Sequence, residues 1–426
     1  MKMMSYWLDT STPFAAAAPG GPEGVADVAV IGAGFTGLSA ALALAKKGAK
    51  VVVLEADRVA GAASGRNGGM CNNGFAQDYL TLSTQLGRER ANMLYRAFDA
   101  GVDKVESIVT EEGIDCHFGR VGKLKLAAKP EHYEKIARSQ ELLAREVDPQ
   151  TRMVQLAEMR DEIGSDRYFG GMLYEKSANM HMGKYGQGLA EAAARHGATI
   201  YEHNPLIRMR RTASQVHELT TPHGTVRANQ VLLATGTSAA GPLGWFRRRI
   251  VPVGAFIIAT EPLSTAQLDR LTPRRRNTVD TRNFVNYFRT SPDNRILFGG
   301  RARFSGRTDA ASDAKSGVIL RRSLLDVFPE LADTRIDYCW GGMVDMTRDR
   351  LPRAGEQSGV FYSMGYSGHG THMATYMGAI MAEVLDGRAD LNPWRDFDWP
   401  AIPGHFGKPW FLPIVGAYYR FQDLVK

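Results

Sequence analysis

The sequence predicts an α/β chain, α+β overall, in which a nucleotide-binding unit is joined to a separate antiparallel sheet. Three observations carry that prediction. The apolar run Asp27-Val-Ala-Val-Ile31 leads straight into Gly32-Ala-Gly34-Phe-Thr-Gly37 and an alanine- and leucine-rich segment. A second apolar run, Lys50-Val-Val-Val-Leu54, ends on Glu55. Much later, three strand-like segments, 249–260, 284–289 and 295–304, follow one another.

The first run is short and continuously apolar, which fits a strand buried on both faces. The segment LSAALALAKKG after it reads as a helix stopped by Gly48. Each residue of the turn between them has a job. Gly32 allows the tight bend, Gly34 lets the backbone approach a pyrophosphate, and Gly37 lets the helix close on the strand. Ala33, Phe35 and Thr36 complete a loop whose N–H groups, with the positive end of the helix, receive phosphates. Glu55, followed by Ala56, is placed to accept hydrogen bonds from ribose hydroxyls. The fingerprint alone does not separate NAD from FAD, but an acid at position 55 argues against NADP. No second GxGxxG is present, which argues against a pyridine-nucleotide reductase.

The next stretch is Ser64-Gly65-Arg66-Asn67-Gly68-Gly69-Met70. A backbone-rich polar loop so soon after a dinucleotide fingerprint suits FAD, whose tricyclic ring extends past the pyrophosphate and needs further anchoring. Backbone N–H groups of the glycines, with Arg66 and Asn67, supply the donors.

The remaining elements follow in order. Leu80–Glu112 fits one or two helices, and Phe118–Ala128 alternates like a strand pair. Pro130–Asp166 reads as charged amphipathic helices, Tyr168–Met182 as strand, and Lys184–His196 as helix. Residues 197–202 read as another parallel strand, with Leu206 just beyond it. A hairpin over Pro222 and Gly224 spans His217–Thr225, and an apolar strand ends at Thr235-Gly236, small enough to pass close to a nucleotide. Val360–Ser363 is a short strand. Gly365 to Gly370, including Gly368 and His369, forms a glycine turn, and a helix starts at Thr371. A second helix N-terminus therefore rises from a glycine loop, and its N–H groups and positive potential suit an anionic group. The expected nucleotide domain is discontinuous (1–112, 182–245 and 341–426), with a substrate domain at 113–181 and 246–340.

At 426 residues, 44% hydrophobic and 23% charged, the composition is that of a soluble globular chain of roughly two to three domains. The formal net charge is +7, which fits either a solvated basic surface or attraction to an acidic substrate. The basic residues are scattered, which argues against nucleic acid. Cys71, Cys116 and Cys339 form no CxxC pair, so no disulfide framework or thiolate metal site is expected, and a reducing cytoplasm suits them. No apolar run approaches the ~20 residues of a spanning helix. The C-terminal WFLPIVGAYYRF reads as a packed tail.

The segments SYWLDT, DVAVIGAGFTGLSAALALA, LEADRVAGAASGRNGG, NYFRTSPDNRILFGGR, MGYSGHGTHMATYMG and GKPWFLP together resemble the D-amino-acid-oxidase-like FAD-dependent oxidoreductases. Within that family they are most similar to the gamma-glutamylputrescine oxidoreductase group, which commonly has Gln where this chain has Met70. The resemblance implies a Rossmann-like domain with non-covalent FAD and a substrate domain laid over the flavin. It also implies that the helix after Gly370 points at the flavin, with His369 as a candidate catalytic donor there. The implied activity is oxidation of an amine C–N bond to an imine or aldehyde, with oxygen or another carrier as acceptor. A gamma-glutamyl amine carries a carboxylate, so Arg289 and Arg301 are candidate partners, with Tyr287 and Trp340 as pocket walls; His181 is a weaker candidate. The rival substrates are a free polyamine, a sarcosine-like secondary amino acid or a D-amino acid. A non-enzymatic flavin-binding assembly or membrane-docking protein is the competing class.

Overall fold

A computed structural model describes residues 1–237, 242–303, 310–407 and 409–425. Two eight-stranded sheets and a small three-stranded one organise them. The first large sheet runs, in spatial order, Arg208–Arg211, His217–Thr220, Thr225–Leu233, Val25–Ile31, Val51–Leu54 and Thr199–Tyr201. Val360–Met364 pairs with Thr225–Leu233 in parallel and carries Arg353–Gln357 antiparallel on its other side. Its central members are parallel, as continuous apolar runs predict: all four residues of Val51–Leu54 are buried.

The fingerprint helix, Phe35–Lys46, is buried along most of its length because a second helix, Gly370–Leu385, packs on it. Small residues allow the approach. A Cβ on Gly378 would stand 2.3 Å from the Thr36 carbonyl oxygen, and Ser39 donates across the contact to the Thr375 carbonyl at 2.7 Å.

The second large sheet is ordered Ile336–Met346, Val251–Thr260, Ile296–Arg303, Tyr287–Thr290, Asn277–Asp280, Lys123–Leu126, Gly171–Tyr174 and Arg152–Val154. It is antiparallel throughout except where Asn277–Asp280 meets Lys123–Leu126. Its far face buries a separate apolar cluster, with Leu320, Leu324 and Val327 of the helix Ala310–Val327 packed against Phe256, Phe288 and Phe298.

Three sequence expectations change. The strands within Phe118–Ala128 do not pair with each other: Gly119–Arg120 pairs with Ala178–Asn179, and Lys123–Leu126 joins the second sheet. Gly122, at φ +73° with its N–H on the Ser177 carbonyl, turns the chain between them. The Pro130–Asp166 stretch is helical over Pro130–Glu146 and Met159–Glu162, with the edge strand Arg152–Val154 between them. Among its described side chains, the tail turns some residues inward and leaves others exposed. In and just before the helix Leu412–Val425, Phe411, Leu412 and Val415 face an internal cavity. Trp410 and Ile414 are each 64% exposed and Tyr418 57%. No helix among the described residues is long and apolar enough to cross a membrane.

Candidate active site

A continuous cavity of ≈ 1860 Å³ runs between the two large sheets, with residues of both in its wall. Pockets for a single small ligand occupy roughly 300–1,000 Å³, so this one has room for a large cofactor and a substrate together.

One end is built from the fingerprint. Gly32 has φ +103°, and a Cβ there would stand 2.7 Å from the Ala234 carbonyl oxygen. A Cβ on Gly37 would stand 1.9 Å from the Gly32 carbonyl oxygen. Gly34 caps the helix with no side-chain hydrogen bond, so the helix N-terminus opens on the cavity, where Gly32, Gly34, Phe35 and Thr36 line the wall. The Phe35 N–H meets the Ser64 hydroxyl at 3.1 Å, and the Thr36 hydroxyl lies 2.8 Å from the Tyr366 hydroxyl. Glu55 accepts the Ala33 N–H at 2.7 Å and the Asp57 N–H at 2.9 Å. Burial pushes its carboxyl above the usual range, and those N–H donors oppose the rise. Ala56, Leu206, Thr235 and Gly236 line the same end.

The polar loop crosses the middle. Ser64, Arg66, Asn67, Gly68 and Met70 line the cavity. Asn67 braces the turn from within: its Nδ2 donates to the Ser64 carbonyl at 2.9 Å, and its Oδ1 accepts the Gly69 N–H at 2.8 Å. The loop's carbonyls are held from behind. Trp7 Nε1 donates to the Asn67 carbonyl at 2.7 Å, Trp340 Nε1 to Arg66 at 2.9 Å, and the Ser5 hydroxyl to Gly65 at 2.7 Å.

This arrangement corrects two substrate assignments. Arg289 is buried behind the loop, with Nη1 on the Gly69 and Met180 carbonyls at 2.6 and 2.9 Å and Nε on the Thr290 carbonyl at 2.9 Å. Trp340 is fully buried behind Arg66. Neither lines the cavity, because both are committed to the loop backbone. Arg66 likewise turns its Nε to the Gly61 carbonyl at 2.8 Å. Gly69 lies against Arg289 and Trp7 rather than on the wall. Tyr287 does line the cavity, its ring against Gly68. Arg301 belongs to the strand Ile296–Arg303, and its side chain lies outside the described residues.

At the far side, Gly368, His369, Gly370 and Thr371 line the wall where Gly370–Leu385 begins, again with no side-chain cap. Gly365 stands behind them, with φ +81° and its N–H on Asp345 Oδ2 at 2.6 Å. Asp345 also lines the cavity, and burial pushes its carboxyl up to about 6. His369 Nδ1 and both ring nitrogens of His372 are buried with no hydrogen-bond partner among the described residues. Burial pushes His369 down to about 4 and His372 well below the ordinary range.

His181 is not on the wall. It caps Met182–Arg195, with Nδ1 accepting the Lys184 N–H at 3.2 Å, and burial pushes it down to about 4. His181 and His369 thus stay neutral in the fold while their unfolded counterparts protonate near ~6.5. Stability from these residues is full above that pH and lost as pH falls toward about 4. The urea midpoint is expected to decline through that window, and His181→Asn, which keeps a capping acceptor, to flatten the decline; an unchanged slope would refute the assignment.

Sequence reasoning missed Lys123, Lys125 and Asp345. The Lys-Leu-Lys-Leu alternation of residues 123–126 was the available signal for the first two. Nothing local marks Asp345.

Two uncapped helix N-termini, glycines whose Cβ atoms would collide, an acid at the ribose position and a donor-rich loop between them fit a flavin dinucleotide. Known proteins agree. The profile of the FAD dependent oxidoreductases matches residues 27–384. The "Probable oxidoreductase OrdL" of Haemophilus influenzae is 34% identical, covering 93% of this chain and 92% of that protein. The gamma-glutamylputrescine oxidoreductase of Escherichia coli is 31% identical, over 93% and 92%. Among solved structures, glycine oxidase from Geobacillus kaustophilus superimposes with a TM-score of 0.70 at 22% identity, over 89% of this chain and 97% of that one, a likeness of fold. The chain belongs to the family of FAD-dependent oxidoreductases and is an FAD-dependent enzyme.

Proposed function

We propose that this enzyme oxidises the primary amine of gamma-glutamylputrescine or a similar gamma-glutamyl amine to an imine, and so to an aldehyde. FAD, when bound, supplies the hydride acceptor. The fingerprint loop, Glu55, Ala56, the Ser64–Met70 loop, Leu206, Thr235-Gly236 and the Gly365–Thr371 turn would hold it. On this reading residues 1–112, 182–245 and 341–426 form the nucleotide domain, and 113–181 and 246–340 the substrate domain. The chain would work in the cytoplasm and pass electrons to oxygen or a carrier.

The observation that carries the substrate class is Lys125. It lines the cavity with no hydrogen bond or close ion pair among the described residues, and Asp78 is the acid that faces it. Lys135, paired with Asp78 at 3.8 Å, and Arg167 line the same cavity. A wall of this sign suits an amine that also bears a carboxylate and works against a bare polyamine. It takes over the part that Arg289, bound to the loop, cannot play. The relative from Escherichia coli supports the same substrate class through its name.

The protein's own contribution would be positioning and water exclusion. Tyr287 and Gly68 form one wall of the reaction space. The test is anaerobic mixing of the holoenzyme with gamma-glutamylputrescine while the flavin absorption is followed. Rapid bleaching is expected, and Lys125→Ala is expected to raise the substrate Kd by roughly tenfold or more, the worth of a charge-assisted hydrogen bond. A flavin that stays oxidised with this amine but bleaches with putrescine or glycine would overturn the assignment.

A further inference from the structure

Two stretches of this chain carry no acid. Between Glu218 and Glu261 the charged residues are Arg227, Arg247, Arg248 and Arg249, and between Asp398 and Asp423 they are Lys408 and Arg420. The fold joins the two stretches. The Ile402 N–H donates to the Arg248 carbonyl at 2.9 Å, Arg249 Nε to the Trp399 carbonyl at 2.6 Å, and His405 Nε2 to the Ile250 carbonyl at 2.9 Å. Arg249 is committed inward, with Nη1 on the Trp245 carbonyl at 2.9 Å and its guanidinium 3.5 Å from the centre of the Trp245 ring. Arg248 is exposed and Arg247 half-buried, and neither makes an ion pair among the described residues.

Apolar side chains stand out beside these arginines. Trp410, Ile414 and Tyr418 follow one another at four-residue spacing, so they form one exposed stripe at the start of the helix Leu412–Val425. Phe406, 79% exposed, precedes them. A Cβ on Gly407, in the loop between Phe406 and Trp410, would stand 3.9 Å from Arg247 Cβ, so that cation flanks the loop. Other side chains of the same helix face inward: Phe411, Leu412 and Val415 line the cavity together with Leu243. The stripe is also held in place. Trp410 Nε1 donates to the Gly404 carbonyl at 3.0 Å, and the Phe411 ring packs edge-on against buried His405 with centroids 5.6 Å apart. Of the six tryptophans, only Trp410 is strongly exposed.

We propose that this face docks the enzyme on an anionic lipid bilayer, with Phe406, Trp410, Ile414 and Tyr418 entering the headgroup boundary and Arg247 and Arg248 meeting lipid phosphates. Charge selects this occupant. A face drawn from two acid-free stretches, with arginines that no carboxylate neutralises, is complementary to a negatively charged surface, and the formal net charge of +7 adds attraction at longer range. The side chains suit the depth. Tryptophan and tyrosine favour the membrane–water boundary, where an apolar ring and a polar tip are both accommodated. The Trp410 N–H already has the Gly404 carbonyl, so the ring leaves water without stranding a donor. Docking of this kind lies in the interface and needs no spanning helix. It would set the cavity end lined by Leu243, Phe411, Leu412 and Val415 roughly 10 Å, one helix diameter, from the lipid. The docking does not depend on which amine the enzyme oxidises.

Co-sedimentation of the holoenzyme with lipid vesicles tests this. Phosphatidylcholine vesicles containing about 30% phosphatidylglycerol, at about 0.05 M salt, are expected to bind it roughly tenfold or more tighter than pure phosphatidylcholine, and the difference should shrink toward about 0.5 M salt. Equal binding to both compositions, or binding to neither, overturns the proposal. Two double variants, Trp410→Ser with Ile414→Ser and Arg247→Gln with Arg248→Gln, are each expected to weaken binding to the anionic vesicles by roughly tenfold or more, at unchanged FAD content and thermal midpoint. Binding by either folded double variant within about twofold of wild type overturns it. A spectroscopic measurement on the wild type keeps the proposal falsifiable even if both double variants misfold. Anionic vesicles with brominated acyl chains are expected to quench a part of the tryptophan fluorescence that is absent from Trp410→Phe, and equal quenching of the two proteins overturns the proposal. Sedimentation velocity without lipid covers the remaining occupant. The same species is expected for wild type and the Trp410→Ser, Ile414→Ser variant; an oligomer that this variant disperses would mean that a second copy covers the face, and overturns the proposal.

Discussion

Arg289→Ala is expected to destabilise the holoenzyme by about 3–5 kcal/mol and to release FAD, instead of raising the Michaelis constant of a folded enzyme. The guanidinium serves three carbonyls, those of Gly69, Met180 and Thr290. Truncation removes a donor from each, at about 1–3 kcal/mol for a group left unsatisfied, though the Gly69 carbonyl keeps the Met180 N–H at 3.1 Å, and leaves a void behind the loop. Burial already pushes the arginine down to about 10, so it gives up hydration to hold this position. A lysine in its place would keep a charge but could not spread donors over three carbonyls. The check is thermal unfolding of Arg289→Ala and Arg289→Lys with FAD content measured in parallel. A variant of wild-type stability with only weakened substrate binding would return Arg289 to the substrate site.

Gly37→Ala is the second large effect. The added methyl would lie 1.9 Å from the Gly32 carbonyl oxygen and 3.1 Å from Val30 Cγ1. Both neighbours belong to the strand and turn that form the phosphate end of the cavity, and neither is a flexible side-chain tip. The helix must retreat, carrying its N-terminal N–H groups away from the pyrophosphate. Overpacking of this kind costs about 1–3 kcal/mol, and the same displacement is expected to weaken FAD affinity by roughly 10²-fold. Gly48→Ala is the control. It has φ +85° with open space around the added Cβ, so its cost should stay near ~1 kcal/mol with FAD affinity unchanged. Equal losses at both positions, by equilibrium dialysis of FAD, would refute the contact argument.

The cofactor half of the site was legible because it is local. A strand, a glycine turn, a helix and an acid lie within residues 27–55, and short-range sterics force their meaning. The substrate half was not legible. Arg289 has the residue type and strand position of a carboxylate ligand, yet its direction is decided by the carbonyls of Gly69 and Met180, far away in the chain. Asp345 becomes a partner of the Gly365 turn only through the docking of Ile336–Met346 beside it. Lys123 and Lys125 were visible as alternation, but which face of Lys123–Leu126 met a cavity depended on the packing of the whole second sheet. The tail misled because composition does not say that Trp410 and Ile414 stay exposed while Phe411, Leu412 and Val415 face the cavity.

The sulfur chemistry of this chain has a consequence for its lifetime. Cys71, Cys116 and Cys339 are thiols in the fully buried interior, and burial pushes the Cys116 thiol up to about 12 and Cys71 further still. Peroxide, the by-product whenever oxygen reoxidises a reduced flavin, attacks thiolates, and a thiol held protonated in the interior is nearly inert to it. The thioethers of Met70, Met343 and Met346 stand on the cavity wall instead. Peroxide released into the cavity meets these thioethers before any thiol, and each sulfoxide would turn an apolar lining polar while the buried cysteines of the scaffold stay reduced.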